Sequence, residues 1–71
     1  MTWNYRVLKH VDNDEVPYYS VHEVFYNEDG GIMACSEHQC SPFGETVEEL
    51  KEDLELMAGA LDKPVIPYAE I

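Results

Sequence analysis

The residues of this chain most able to do chemistry are a thiol–imidazole run, Cys35-Ser36-Glu37-His38-Gln39-Cys40. Two thiolates and an imidazole are soft and borderline donors of the kind zinc takes in a tetrahedron, with His10 or His22 to hand as a fourth ligand. The spacing argues against it. Structural zinc sites use paired short clips, and no second clip is present, so no metal is expected at Cys35, His38 and Cys40. Cys35 instead reads as a small apolar side chain turned inward from a strand. The thiols would also serve as nucleophiles if His38, His22 or His10 lay beside them as a base. No glycine-rich cradle or anion-stabilising arrangement accompanies them. His22 and Glu23 are adjacent on a strand-like run and must point to opposite faces, so they cannot work as base and orienter. No catalytic residue and no cofactor are expected, and the chain reads as a non-enzyme.

The second reactive feature is charge. Glu45, Glu48, Glu49, Glu52, Asp53, Glu55 and Asp62 face only Lys51 and Lys63 over one stretch. Glu48/Glu52 and Glu49/Asp53 are like-charge pairs four residues apart, each costing a few tenths of a kcal/mol in a helix. A helix that tolerates this repulsion suits a basic protein surface. A solvated face that keeps a small protein soluble is the plainer reading. Leu56 sits among these carboxylates, roughly 150° from the centre of the helix's apolar stripe. An apolar anchor inside a charged rim is a pattern of protein interfaces. Glu48, Glu52, Asp53, Glu55 and Leu56 are therefore the candidate partner-binding residues.

The elements that position these groups follow from periodicity. Trp3 to Val11 alternates as a strand, with Trp3, Tyr5 and Val7 on one parity. Asp12-Asn13-Asp14-Glu15 is a turn. Tyr18 to Tyr26 is a central strand, since both its faces carry apolar groups: Tyr19, Val21 and Phe25 on one, Tyr18, Val24 and Tyr26 on the other. Asp29-Gly30 before Ile32 to Glu37 is a strong hairpin signal. His38 to Glu45 is a loop. Thr46-Val47-Glu48-Glu49 is a capping box opening a helix, in which Thr46 accepts from the Glu49 amide and Glu49 reaches back to the Thr46 amide. Val47, Leu50, Leu54, Met57, Ala58 and Leu61 form an apolar stripe that should pack on the sheet. Lys63 before Pro64 suits the helix end. The fold class is α+β: a three-stranded antiparallel meander with one helix on one face. Residues 1–63 form the single domain, and 64–71 a C-terminal extended tail or short edge strand, since Pro67 lacks the donor of a central strand.

The chain has 71 residues, 15 acidic and 4 basic, a net charge of −11. That excludes the basic footprint of a nucleic-acid binder and disfavours an anionic membrane surface. No run approaches the ~20 apolar residues of a membrane span, and no leader-like start is visible, so a cytoplasmic, reduced protein is expected. Five tyrosines and one tryptophan are more rings than one helix can cover. Tyr18, Tyr19 and Phe25 are the candidate sheet-face residues, and a homodimer or another protein partner is expected to cover them.

Asn27-Glu28-Asp29-Gly30-Gly31, followed by Cys40-Ser41-Pro42-Phe43-Gly44-Glu45-Thr46-Val47-Glu48-Glu49-Leu50, resembles the HicB-like antitoxin domain. That family shows an acidic-Gly-Gly turn, a strand, a cysteine-containing loop and a Gly-acidic-Thr-x-Glu-Glu helix start. The resemblance spans about residues 18 to 62. Trp3-Asn4-Tyr5-Arg6 and the acidic helix are also similar to a group of small bacterial proteins with this core. The resemblance implies a partial ribonuclease-H-like layer without nuclease activity, which masks a small basic ribonuclease toxin. The family's DNA-binding segment is not expected within this sequence, and His38-Gln39 stands where the family has Pro-Gly before its cysteine. The expectation is an interaction domain masking a basic ribonuclease. The alternative is a homo-oligomeric structural or small-molecule sensing module built on the aromatic sheet face.

Overall fold

The computed structural model describes residues 2–11 and 16–71. Its elements are β1 (Thr2–His10), β2 (Tyr18–Tyr26), β3 (Ile32–Cys35), α1 (Val47–Ala58), a 3-10 turn at Gly59–Asp62, β4 (Ile66–Pro67) and a last 3-10 turn at Tyr68–Glu70. The sheet order is β3-β2-β1-β4. β1, β2 and β3 form the antiparallel meander that alternation implies. β4 is an edge strand running parallel to β1, with Leu8 beside Ile66 and Lys9 beside Pro67. A parallel return needs a long crossover, and the passage through α1 supplies it. The turn expected at residues 12–15 lies outside the described residues.

The β2–β3 turn works as its sequence requires. Gly30 adopts φ +87, a left-handed conformation that costs glycine little. The Asn27 amide donates to the Gly31 carbonyl at 2.8 Å and the Gly31 amide to Asp29 Oδ1 at 3.0 Å. β3 is shorter than expected and ends at Cys35. The amides of Ser36 and Cys40 still donate to Glu23 O and Val21 O, each at 2.8 Å, so the following loop stays alongside β2.

Register sorts the strands into two faces. Trp3, Tyr5, Val7 and Lys9 share one with Tyr19, Val21, Glu23 and Phe25. Asn4, Arg6, Leu8 and His10 share the other with Tyr18, Ser20, His22, Val24 and Tyr26. Leu8 and Val24 are fully buried on the second face with Ile66, and Tyr26 and Cys35 pack against them. Polar groups link its strands. Arg6 donates through Nη1 to Tyr26 Oη (3.1 Å) and through Nη2 to Pro64 O (2.6 Å), and Tyr26 donates to Asn4 Oδ1 (2.7 Å). Ile66 thus belongs to the core, and Arg6 holds the segment leading to it.

Helix α1 begins at its expected cap. The Thr46 hydroxyl accepts from the Glu49 amide at 3.1 Å. The reciprocal arm is displaced by one residue: Glu49 Oε2 accepts from the Glu45 amide, not from Thr46. At the other end Lys63 Nζ donates to Gly59 O at 3.3 Å, a cation on a terminal carbonyl. The apolar stripe corrects a sequence expectation. Met57 and Ala60 are buried and Leu50 half-buried, but Val47, Leu54, Ala58 and Leu61 stay exposed. The helix is turned so that Asp53 points at the sheet, and only part of the stripe follows it inward. The radius of gyration, 13.2 Å, exceeds the ~11 Å of a compact chain of this length.

Candidate functional site

A groove runs between α1 and the sheet, and Tyr5 and Asp53 form its floor. Tyr5 reaches up from β1 and donates its hydroxyl to Asp53 Oδ1 at 2.9 Å. Asp53 Oδ2 accepts from the Phe43 amide at 2.9 Å. One carboxylate thereby joins the strand, the loop and the helix. The phenol is pushed up to about 12 from its ordinary 10.0, chiefly by burial, then by the hydrogen bond to and charge of Asp53, with Cys40 and Glu23 adding. A phenol facing carboxylates holds its proton because ionisation would put another negative charge beside them.

Glu23 rises from β2 on one side of the groove. Glu49, Glu52 and Leu56 stand on the other, within about 60° of one another around the helix. Phe43 and Cys40 close one end of this space, which is about 520 Å³. Past Tyr5 and Leu56 the groove continues for about 380 Å³ to Trp3 and Lys63. Trp3 and Tyr5 meet edge to face at 5.3 Å. Phe43 is 73%, Leu56 63% and Trp3 50% exposed. The result is a groove lined by exposed Phe43, Leu56 and Trp3 alternating with the carboxylates of Glu23, Glu49 and Glu52.

Gly44 makes this geometry possible. A Cβ there would collide with the Leu50 amide nitrogen and stand 2.7 Å from the Glu49 carbonyl carbon. The loop bearing Phe43 can therefore lie against the first helical turn only if residue 44 has no side chain.

The five partner-binding candidates separate. Glu52 and Leu56 line the groove. Asp53 lies beneath it with both oxygens engaged inside the chain. Glu48 and Glu55 are exposed and lie further round the helix, away from the groove lining. Glu23, Glu49, Phe43 and Trp3 complete the site without having been singled out as binding residues. Glu23 and Tyr5 are cross-strand partners, so strand pairing plus parity would have placed them together. The sheet-face candidates also separate: Tyr19 and Phe25 share the Tyr5 face, while Tyr18 lies on the other. Tyr19 is 58% and Tyr18 47% exposed.

On that other face the histidines form a relay. Ser20 Oγ lies 2.8 Å from His10 Nε2 and 2.9 Å from His22 Nε2. His22 Nδ1 lies 3.0 Å from the Ser36 carbonyl oxygen. That oxygen can only accept, so Nδ1 carries a proton. With His22 neutral, its Nε2 accepts the Ser20 hydroxyl proton, and Ser20 accepts from His10 Nε2–H. His10 stacks on Tyr18 at 4.7 Å and contacts Tyr68 at 4.9 Å. His22 is only 3% exposed, so the relay satisfies a buried imidazole. Ser20 and His22 share parity, the sequence signal for this pair. His38 lines the same hollow. Cys40 Sγ contacts Ser36 Oγ at 3.9 Å, and burial pushes the Cys35 thiol up, which disfavours the thiolate a nucleophile or zinc ligand needs. Among the described residues no three His, Cys, Asp or Glu side chains gather as metal ligands, and no helix is long and apolar enough to cross a membrane.

Comparison with protein-family models, curated proteins and solved structures gives no match to this chain.

Proposed function

We propose that the chain is a non-enzymatic protein-interaction domain whose groove beside α1 takes a basic, partly apolar segment of another protein. The observation that carries this reading is the pairing of exposed Phe43, Leu56 and Trp3 with the carboxylates of Glu23, Glu49 and Glu52 along one channel. Lysine or arginine stems would lie on the rings while their charged heads met the acidic walls. The overall charge of −11 would steer such a partner from a distance. A small basic ribonuclease is the partner class implied by the HicB-like resemblance. Masking would follow from competition, because the positive surface that holds RNA would be occupied by carboxylates.

Trp3, the single tryptophan, lines the groove and reports its occupancy. Titration with a lysine–leucine model peptide should shift Trp3 emission, with affinity falling as salt rises. Glu52→Lys should weaken binding about fivefold, as roughly 1 kcal/mol for a rim charge implies. Leu56→Glu should abolish it. Affinity indifferent to both substitutions and to salt would refute the reading.

A further inference from the structure

The lane that β4 occupies beside β1 is only partly filled. β1 pairs with β2 along its whole length, from Thr2 to His10, whereas β4 pairs with β1 only at Leu8 and Lys9. Counting back two residues from the Leu8–Ile66 pair brings Pro64 beside Arg6. Proline has no amide proton to carry the ladder further. Toward the start of β1 the lane is therefore vacant. Successive residues of an antiparallel strand direct their N–H and C=O groups alternately toward the partner and away from it. Within Trp3–Tyr5 the groups turned from β2 meet no other backbone group among the described residues.

A hollow of about 380 Å³ borders this edge, lined by Trp3, Asn4 and Tyr5 together with Leu56 and Lys63. A strand shows alternate side chains to one face, and Asn4 lies on the face opposite Trp3 and Tyr5. Three successive residues share one hollow only where it runs along the edge of the strand. A strand residue fills roughly 160 Å³ at the rise, strand spacing and sheet spacing of β-structure. The hollow thus has room for about two or three added residues, the length of the edge that borders it. None of Thr2, Trp3, Asn4 and Tyr5 is the lysine or proline that commonly blunts a free edge.

We propose that a basic partner adds an extended segment to the sheet here, as a strand beside Trp3–Tyr5 in the vacant part of the β4 lane. The proposal rests on the groove reading above and names the conformation and pattern of what the groove takes. Backbone groups at ladder spacing are met by another extended backbone, not by a helix, whose amides are paired within it. Residues of the added strand that share the Trp3 and Tyr5 face meet Leu56, so apolar side chains belong at alternate positions. The segment runs on past Leu56 to Glu52, Glu49 and Glu23, so Lys or Arg flanks the apolar stretch on that side. Lys63 lines the edge hollow and keeps the cationic part of the segment at the acidic end. The charge of −11 on each copy opposes a second copy of this chain as the occupant and favours a cationic one.

The probe is a peptide of alternating leucine and threonine with lysines at one end, which set its direction along the groove. Titration of the full chain, followed by Trp3 emission, compares it with two versions methylated on the leucine amides or on the threonine amides. In a strand the two sets face opposite edges. Methylation of one set should weaken binding at least about tenfold, as two lost backbone bonds imply, and of the other less than about twofold. Amide exchange should slow on binding within Trp3–Tyr5 and stay unchanged at Ile66. Salt-sensitive, Glu52-dependent binding that both methylations affect equally overturns the strand pairing and leaves the groove reading standing. So does binding without slowed exchange within Trp3–Tyr5. Affinity indifferent to salt and to Glu52→Lys overturns both. A peptide-free chain that sediments at twice 8.2 kDa, with these amides already protected, assigns the lane to a second copy and overturns the proposal.

Discussion

Replacing Tyr5 by phenylalanine should remove one hydrogen bond and one alkaline transition together. The Tyr5 hydroxyl donates to an ionised acceptor, Asp53 Oδ1, at 2.9 Å. Such bonds contribute about 1.5–3 kcal/mol. Asp53 keeps its second bond, from the Phe43 amide, and the groove is open to water, so about 1–1.5 kcal/mol is expected near neutral pH. The phenol's rise from 10.0 to about 12 gives the sign of the pH effect. Between those values the folded chain holds a proton that the unfolded chain has released. Stability from Tyr5 is therefore complete below pH 10 and lost as pH climbs toward about 12. Two units correspond to at most ~2.7 kcal/mol. Tyr5 is part-exposed, and solvent screening brings the expected loss to about 1 kcal/mol.

Urea unfolding at pH 7, 10 and above, for the natural chain and Tyr5→Phe, checks both effects. The difference between the tyrosinate titrations of the two proteins isolates Tyr5 from the other four tyrosines. Asp53→Asn should lower the phenol's value part of the way, because burial remains after the charge is gone. If the difference titration places Tyr5 at its ordinary 10.0, or if Tyr5→Phe unfolds along the same pH curve as the natural chain, the clamp has no energetic role.

Gly44→Ala should cost more than about 2 kcal/mol, because its Cβ would meet backbone atoms of Glu49 and Leu50 that cannot move without unwinding the first turn; thermal unfolding measures it. Ser20→Ala should cost about 1–3 kcal/mol by stranding buried His22 Nε2, with the Nε2 resonance shifting in nitrogen NMR while Nδ1 keeps its bond to the Ser36 carbonyl. Arg6→Met should free the segment at Pro64 at a net cost of about 1 kcal/mol, since the mutation also removes a buried Nε without a hydrogen-bond partner among the described residues; faster exchange of the Ile66 amide is the readout.

The antiparallel meander was legible because strand alternation and the Asp29-Gly30 turn are local signals. The start of α1 was legible for the same reason, Thr46 and Glu49 lying within one turn of each other. β4 was visible only as an edge strand or a tail. Two residues, Ile66 and Pro67, carry no period, and parallel pairing to β1 depends on a crossover that no local pattern encodes. The histidine relay needed strand register, since His10 and Ser20 meet across β1 and β2. The groove needed helix rotation as well. Sequence marks which residues of α1 are apolar but not which of them the sheet will cover.

Two features fix that rotation. Asp53 is bound from below by Tyr5 and from the loop by Phe43, and Gly44 lets the loop touch the first turn. A carboxylate thus occupies the inward direction that the apolar stripe would otherwise take. At 100° per residue, turning α1 until Val47 and Leu54 met the sheet would carry Asp53 off Tyr5 and break both of its bonds. The clamp therefore holds apolar surface outward on one flank while it shapes the acidic groove on the other. Loosening it with Asp53→Asn should weaken peptide binding in the groove and return the Tyr5 phenol part of the way toward its ordinary 10.0 in the same variant. Glu52→Lys should weaken binding alone, because Glu52 lines the groove but takes no part in the bonds that hold Asp53.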